Sequence, residues 1–115
     1  MRYSAALLKT RGREVVAVEE THRHFTARDI DEARQQAQRA MGLEDAAVVT
    51  LENSLGYAGR PELLEELKEK VLARLAEEGM VEINPRQLEL WAAYERNPDG
   101  TVGRGRLLAV APEEG

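Results

Sequence analysis

A chain of 115 residues has room for one hydrophobic core and not for two independent ones. The absence of cysteine excludes a disulfide scaffold, a thiolate zinc site and a cysteine nucleophile together. With no run of about eighteen apolar residues and no basic-then-apolar leader, the expectation is a cytoplasmic protein without a membrane segment.

The net charge of −5 is spread unevenly. Residues 1–40 carry eight Arg or Lys against six acids, whereas residues 41–85 carry four against ten. A weakly basic beginning is therefore joined to an acidic middle, which argues against general nucleic-acid affinity. Thirteen arginines against three lysines fit either a GC-rich genome or a thermophile.

In chain order, residues 2–10 and 14–21 are β-favouring runs separated by Arg11, Gly12 and Arg13, and predict a hairpin. In the first run both alternating sets contain apolar residues, so part of this strand is expected to be covered on both faces. The second run continues through His22, Arg23, His24 and Phe25 as an edge extension. Thr26 followed by Asp29 predicts a helix start, and Ile30, Ala33, Ala37 and Met41 recur at helical spacing until Gly42. Residues 46–52 read as a short central strand, and the helix between two strands suggests a crossover.

The longest amphipathic helix follows a glycine-bearing loop. Pro61 suits its first position, while Glu62, Glu65 and Glu66 complement the positive end of its dipole. Leu64, Leu67, Val71 and Leu75 form its apolar face, Glu66 and Lys70 an i,i+4 pair, and Gly79 its stop, with Met80 closing back. Asn84, Pro85 and Gln87 signal a second helix start, yet residues 88–95 alternate like a strand, and Asn97–Gly100 is a strong turn signal. A terminal hairpin is the favoured reading. The predicted fold is a single α+β domain over residues 1–111 in the order ββαβαββ. It is a two-layer arrangement, a mostly antiparallel or mixed sheet with two helices on one face, and a frayed tail at 112–115.

Three groups of residues have chemistry to offer. Glu20, His22 and His24 lie two apart, so in a regular strand they project to one side and can supply three ligands to a divalent metal; exposed histidines are the plain alternative. Gly56, Gly59 and Arg60 deliver the chain to a helix N-terminus, the setting of an anion site, but they lack a phosphate-loop pattern, and the neighbouring glutamates repel an anion. Lys9, Arg11, Arg13, Arg104 and Arg106 would gather into one basic patch if the terminal strands are neighbours, with Trp91 offering a stacking surface for nucleic acid.

Ser4 and Ser54 are the only serines and neither lies in a Gly-x-Ser-x-Gly elbow, so no catalytic residue is assigned and no cofactor is expected. The leading reading is a small non-catalytic protein-interaction domain, a homodimer through the terminal hairpin and its outward Trp91, serving as an accessory factor of a bacterial or phage complex. The alternative is a nucleic-acid-binding module.

Overall fold

A computed structural model of the chain describes residues 1–54 and 56–114, with the strand path alone described at 102–104. The elements are β1 (Arg2–Arg11), β2 (Glu14–Thr26), α1 (Ile30–Ala40), β3 (Ala47–Thr50), α2 (Pro61–Glu77), β4 (Glu89–Arg96) and β5 (Val102–Pro112). The α+β class and the ββαβαββ order read from the sequence are both present. The five strands lie in the order β2-β1-β5-β4-β3, and every neighbouring pair is antiparallel. α1 carries the chain from one edge of this sheet to the other. No helix among the described residues is long and apolar enough to cross a membrane.

The helices do not share a face, and the domain has three layers rather than two. α1 packs with Tyr3, Ala5, Leu7, Trp91, Ala93, Leu108 and Val110. α2 packs with the alternate set, Ala6, Leu8, Leu90, Ala92, Leu107 and Ala109. The cause is in the letters of β1, β4 and β5. Tyr3–Leu8, Leu90–Ala93 and Leu107–Ala111 are each buried without a break, and a strand apolar on both sides must be covered on both sides. A single helical layer would leave half of these side chains in water.

Each helix fits its face. α1 presents Ala33 and Ala37, both fully buried, so its backbone lies close to the sheet and leaves room for the large ring of Trp91. α2 buries Leu67, Val71 and Leu75, with Leu64 and Leu72 half-buried beside them. The two helices end alike. Gly42 and Gly79 take φ of 70° and 79°, and the residue after each donates back: Leu43 to the Gln38 carbonyl at 2.7 Å and Met80 to Leu75 at 2.9 Å. Only glycine takes that left-handed turn without cost. The start of α1 differs from expectation, because Asp29 and not Thr26 caps it, its Oδ1 accepting from the Glu32 N–H at 2.8 Å. Lys70 lies 3.7 Å from Glu66 as its spacing predicts, but closer, at 3.0 Å, to Glu14 on β2.

Between α2 and β4 both competing sequence signals are realised. Asn84 caps a single 3-10 turn, Pro85–Gln87, by accepting from the Arg86 N–H at 3.0 Å, and the alternating residues then enter β4. The turn predicted at Asn97–Gly100 closes the β4–β5 hairpin, with Asn97 N–H donating to the Thr101 carbonyl at 2.8 Å. Tyr94 lies across its cross-strand partner Gly105, where a Cβ would stand 2.8 Å from the ring. The terminal hairpin occupies the sheet interior, because β4 lies between β5 and β3 while β5 lies between β1 and β4. Along Trp91–Tyr94 it therefore has a neighbouring strand on each side and no free edge for self-association.

Trp91, the sole tryptophan, is 5% exposed and belongs to the α1-side core instead of pointing outward. Trp91→Ala is expected to destabilise the domain by about 3–5 kcal/mol in urea unfolding. Its native fluorescence should be blue-shifted and insensitive to added single-stranded oligonucleotide; a water-like emission maximum would contradict this packing.

Candidate functional site

A polar cluster forms where β1 begins and β2 and β5 end. The β1–β2 register runs Tyr3 against Phe25 and then Ala5 against His22, so Arg23 and His24 together oppose Ser4. This bulge resets the alternation of β2. His22 stays on the α1 side, its ring centroid 5.1 Å from that of Phe25. His24, with φ of 63°, turns onto the opposite side, toward Ser4. Arg23, in the same bulge, donates to the Glu78 carbonyl at the end of α2, where a cation also complements the helix dipole.

The final residues complete the cluster. Glu113 N–H donates to the Arg2 carbonyl at 2.9 Å, Asn84 N–H to Pro112 at 2.8 Å, and Glu114 N–H to Glu82 at 2.6 Å. The segment expected to fray is thereby held between the start of β1 and residues 82–84 as far as Glu114, while Gly115 lies outside the described residues. Its carboxylate turns inward. The Glu113 side chain is 8% exposed and accepts from Ser4 Oγ at 3.0 Å and from the His24 backbone N–H at 3.0 Å, with His24 Nδ1 at 2.9 Å. Ser4, 1% exposed, also reaches Glu82 Oε1 at 3.4 Å. Arg2 stands at the rim, its Nε 3.7 Å from Glu113.

The electrostatics of Glu113 are opposed. Burial favours its neutral acid, but the hydrogen bonds from His24 and Ser4, with the charges of His24 and Arg2, outweigh burial and lower its pKa below the ordinary glutamate value. Serine, histidine and a carboxylate also make up a hydrolytic triad, but here the arrangement differs. Ser4 donates to the two carboxylates, and the carboxylate of Glu113 stands between hydroxyl and imidazole, whereas a triad needs the imidazole at the hydroxyl. What the cluster offers is a converging donor set, because one ligand atom from each of His24, Glu82 and Glu113 lies within 4.8 Å of the others.

Of the metal ligands proposed from spacing, only His24 is in this set. Glu20 and His22 face α1 with their partners Leu7 and Ala5, because the bulge breaks the period-two rule between His22 and His24. Glu82 and Glu113 were not legible from sequence as ligands, since their distance along the chain hides their convergence. One signal was available: Ser4 is the one small hydroxyl inside the otherwise apolar or aromatic run Tyr3–Leu8 of β1.

The terminal strands β1 and β5 are neighbours, as the basic-patch reading requires, and Lys9 opposes Arg106 directly. Arg106 is nevertheless neutralised by Glu19 at 3.1 Å and by Glu95. Arg11 and Arg13 are exposed at the hairpin tip, the Arg104 side chain lies outside the described residues, and Trp91 is buried. In the loop before α2, Gly59 and Arg60 border a hollow of about 260 Å³ that Glu52 also lines. The Leu63 and Leu64 N–H groups there already donate to the Arg60 carbonyl, and Gly56 turns the preceding loop with φ of 92°. The loop therefore holds little that would attract an anion.

A wider groove of about 400 Å³ opens beside Tyr3, Arg28, Asp29, Arg86 and Glu89. The Tyr3 phenol at its wall is raised above its usual pKa by burial first and then by Asp29 and Glu32, so it is a hydrogen-bond donor and not a base. No protein-family model, no curated protein and no solved structure matched this chain.

Because the folded pKa of Glu113 is depressed, its stabilising contribution is present above the ordinary glutamate pKa and is lost as pH falls through the folded value. Glu113→Gln should be less stable than the parent at neutral pH, and the difference should shrink on acidification. Urea unfolding of both proteins from about pH 7 to about pH 3 checks this; parallel curves over that range would show that Glu113 is not the group involved.

Proposed function

We propose that the chain is a non-catalytic protein-interaction domain that takes up an extended segment of a partner along β3. The observation that carries this reading is the contrast between the two sheet edges. β2 is interrupted by three register breaks and carries Glu19, Glu20 and Arg23, the devices by which proteins blunt an exposed edge. β3 pairs with β4 without a break, bears no charge over Ala47–Thr50, and leaves Val49 41% exposed. Its outer N–H and C=O groups form a template for strand addition, the main-chain mode of peptide capture.

The surroundings of β3 specify the partner's chemistry. Glu44, Asp45 and Glu52 bracket the strand and are all exposed. A complementary segment carries small or β-branched residues between lysines or arginines, and its association is accelerated by charge and weakened by salt. An accessory role within a larger bacterial or phage assembly is compatible with such a domain.

A homodimer is the second reading, favoured by the self-complementarity of the short strand. Pairing two copies antiparallel about a twofold axis normal to the sheet sets the exposed Val49 against Val49 of the other copy. It also brings Asp45 of one copy near Glu52 of the other, so this assembly should tighten as salt rises.

The two readings separate in one experiment. Amide shifts of the labelled protein are followed while a peptide of sequence Lys-Thr-Val-Val-Thr-Lys is added at low and high salt, with sedimentation in parallel. Capture predicts shifts confined to residues 46–52 that fade with salt and are abolished by Val49→Pro. A monomer at every salt concentration whose β3 amides ignore the peptide would sink both readings.

A further inference from the structure

We propose that His24, Glu82 and Glu113 are the ligands of one first-row divalent cation, with Zn²⁺ as the best fit. The donor set is one imidazole and two carboxylates. This is the mixed nitrogen and oxygen chemistry that zinc accepts, whereas calcium and magnesium prefer oxygen-only shells of higher coordination number. The ligand atoms come within 4.8 Å of one another from three separate stretches of chain.

Two further observations support an ion here. The first is the charge balance. Two carboxylates converge on Ser4, whose single proton cannot fully serve both; of the basic groups near Glu113, His24 at 2.9 Å offsets a charge only when its imidazole is protonated, and Arg2 at 3.7 Å has a side chain that is largely in solvent. A divalent cation would neutralise the pair, and the Ser4 hydroxyl would then orient its ligands, as hydrogen-bonding partners of metal-bound carboxylates do. The second is His24 itself, the only non-glycine residue with positive φ among the described residues. A histidine held in that conformation carries a local cost that functional sites commonly retain. Its ring is half in solvent, which leaves a route for the ion and room for water to complete the coordination.

The test uses the full chain purified without chelator. Equilibrium dialysis against Zn²⁺ with metal analysis should give one ion per chain, and the Co²⁺ form should show the visible absorption of a low-coordinate site. His24→Ala and Glu82→Gln should each weaken binding by about tenfold or more, while His22→Ala and Glu20→Gln, on the opposite sheet face, should leave it unchanged. Circular dichroism of each variant verifies folding, and Glu82 is the informative position because Glu113 also anchors the chain end. Failure to take up stoichiometric zinc, or equal uptake by folded His24→Ala and Glu82→Gln proteins, overturns the proposal.

Discussion

The rest of the structure depends on the burial of three strands on both faces. β1, β5 and β4 have no solvent side along their central residues, so the sheet cannot serve as a wall with water behind it. That requirement puts α1 on one side and α2 on the other. It also forces the chain to travel from edge to edge between β2 and β3. The same requirement pushes polar chemistry to the margins, because a hydroxyl or charge inside such a sheet needs a partner. Ser4 is the exception, and its carboxylate partners come from other elements.

The cluster around Ser4 shows how a local irregularity acts at a distance. A regular continuation of β2 would project His22 and His24 together and leave the end of β5 against a smooth strand. The bulge separates them, sends Arg23 to the carboxyl end of α2 and brings His24 to Glu113. Residues 112–114 then find backbone partners on both sides. One irregular pair of residues thus ties an edge strand, a helix terminus and the chain end together.

Much of this architecture was legible in the letters. The spacing of Leu67, Val71 and Leu75, the alanine face of α1, the glycines closing both helices and the Asn97–Gly100 turn each carry a local physical signal that the fold respects. The layer count departs from the two-layer expectation, which rests on alternation and a single covered face, although the unbroken apolar runs Leu107–Ala111 and Leu90–Ala93 carry the signal for cover on both faces. The site was much less so. Period-two reasoning placed Glu20, His22 and His24 together, and a bulge lies outside that reasoning because it depends on what the partner strand presents. Glu82 and Glu113 look like two of many surface glutamates until the sheet order brings them beside Ser4. An outward Trp91 follows from alternation over residues 88–95 only if one face of β4 is covered, whereas Leu90 and Ala92 pack on the α2 side and Trp91 and Ala93 on the α1 side.

The strand order also dictates a history. β5, at the centre of the sheet, is the last of its five strands in chain order, and its pairing of Tyr3 with Pro112 joins residues far apart in the sequence. Until it is in place, no strand pairing joins the β1–β2 hairpin to the β3–β4 pair, which leaves two half-sheets, each with an unsatisfied inner edge. Completion requires a long-range closure that sequence-distant contacts make slow. A ribosome-bound or C-terminally truncated form would therefore be not a smaller version of this domain but an open, association-prone one.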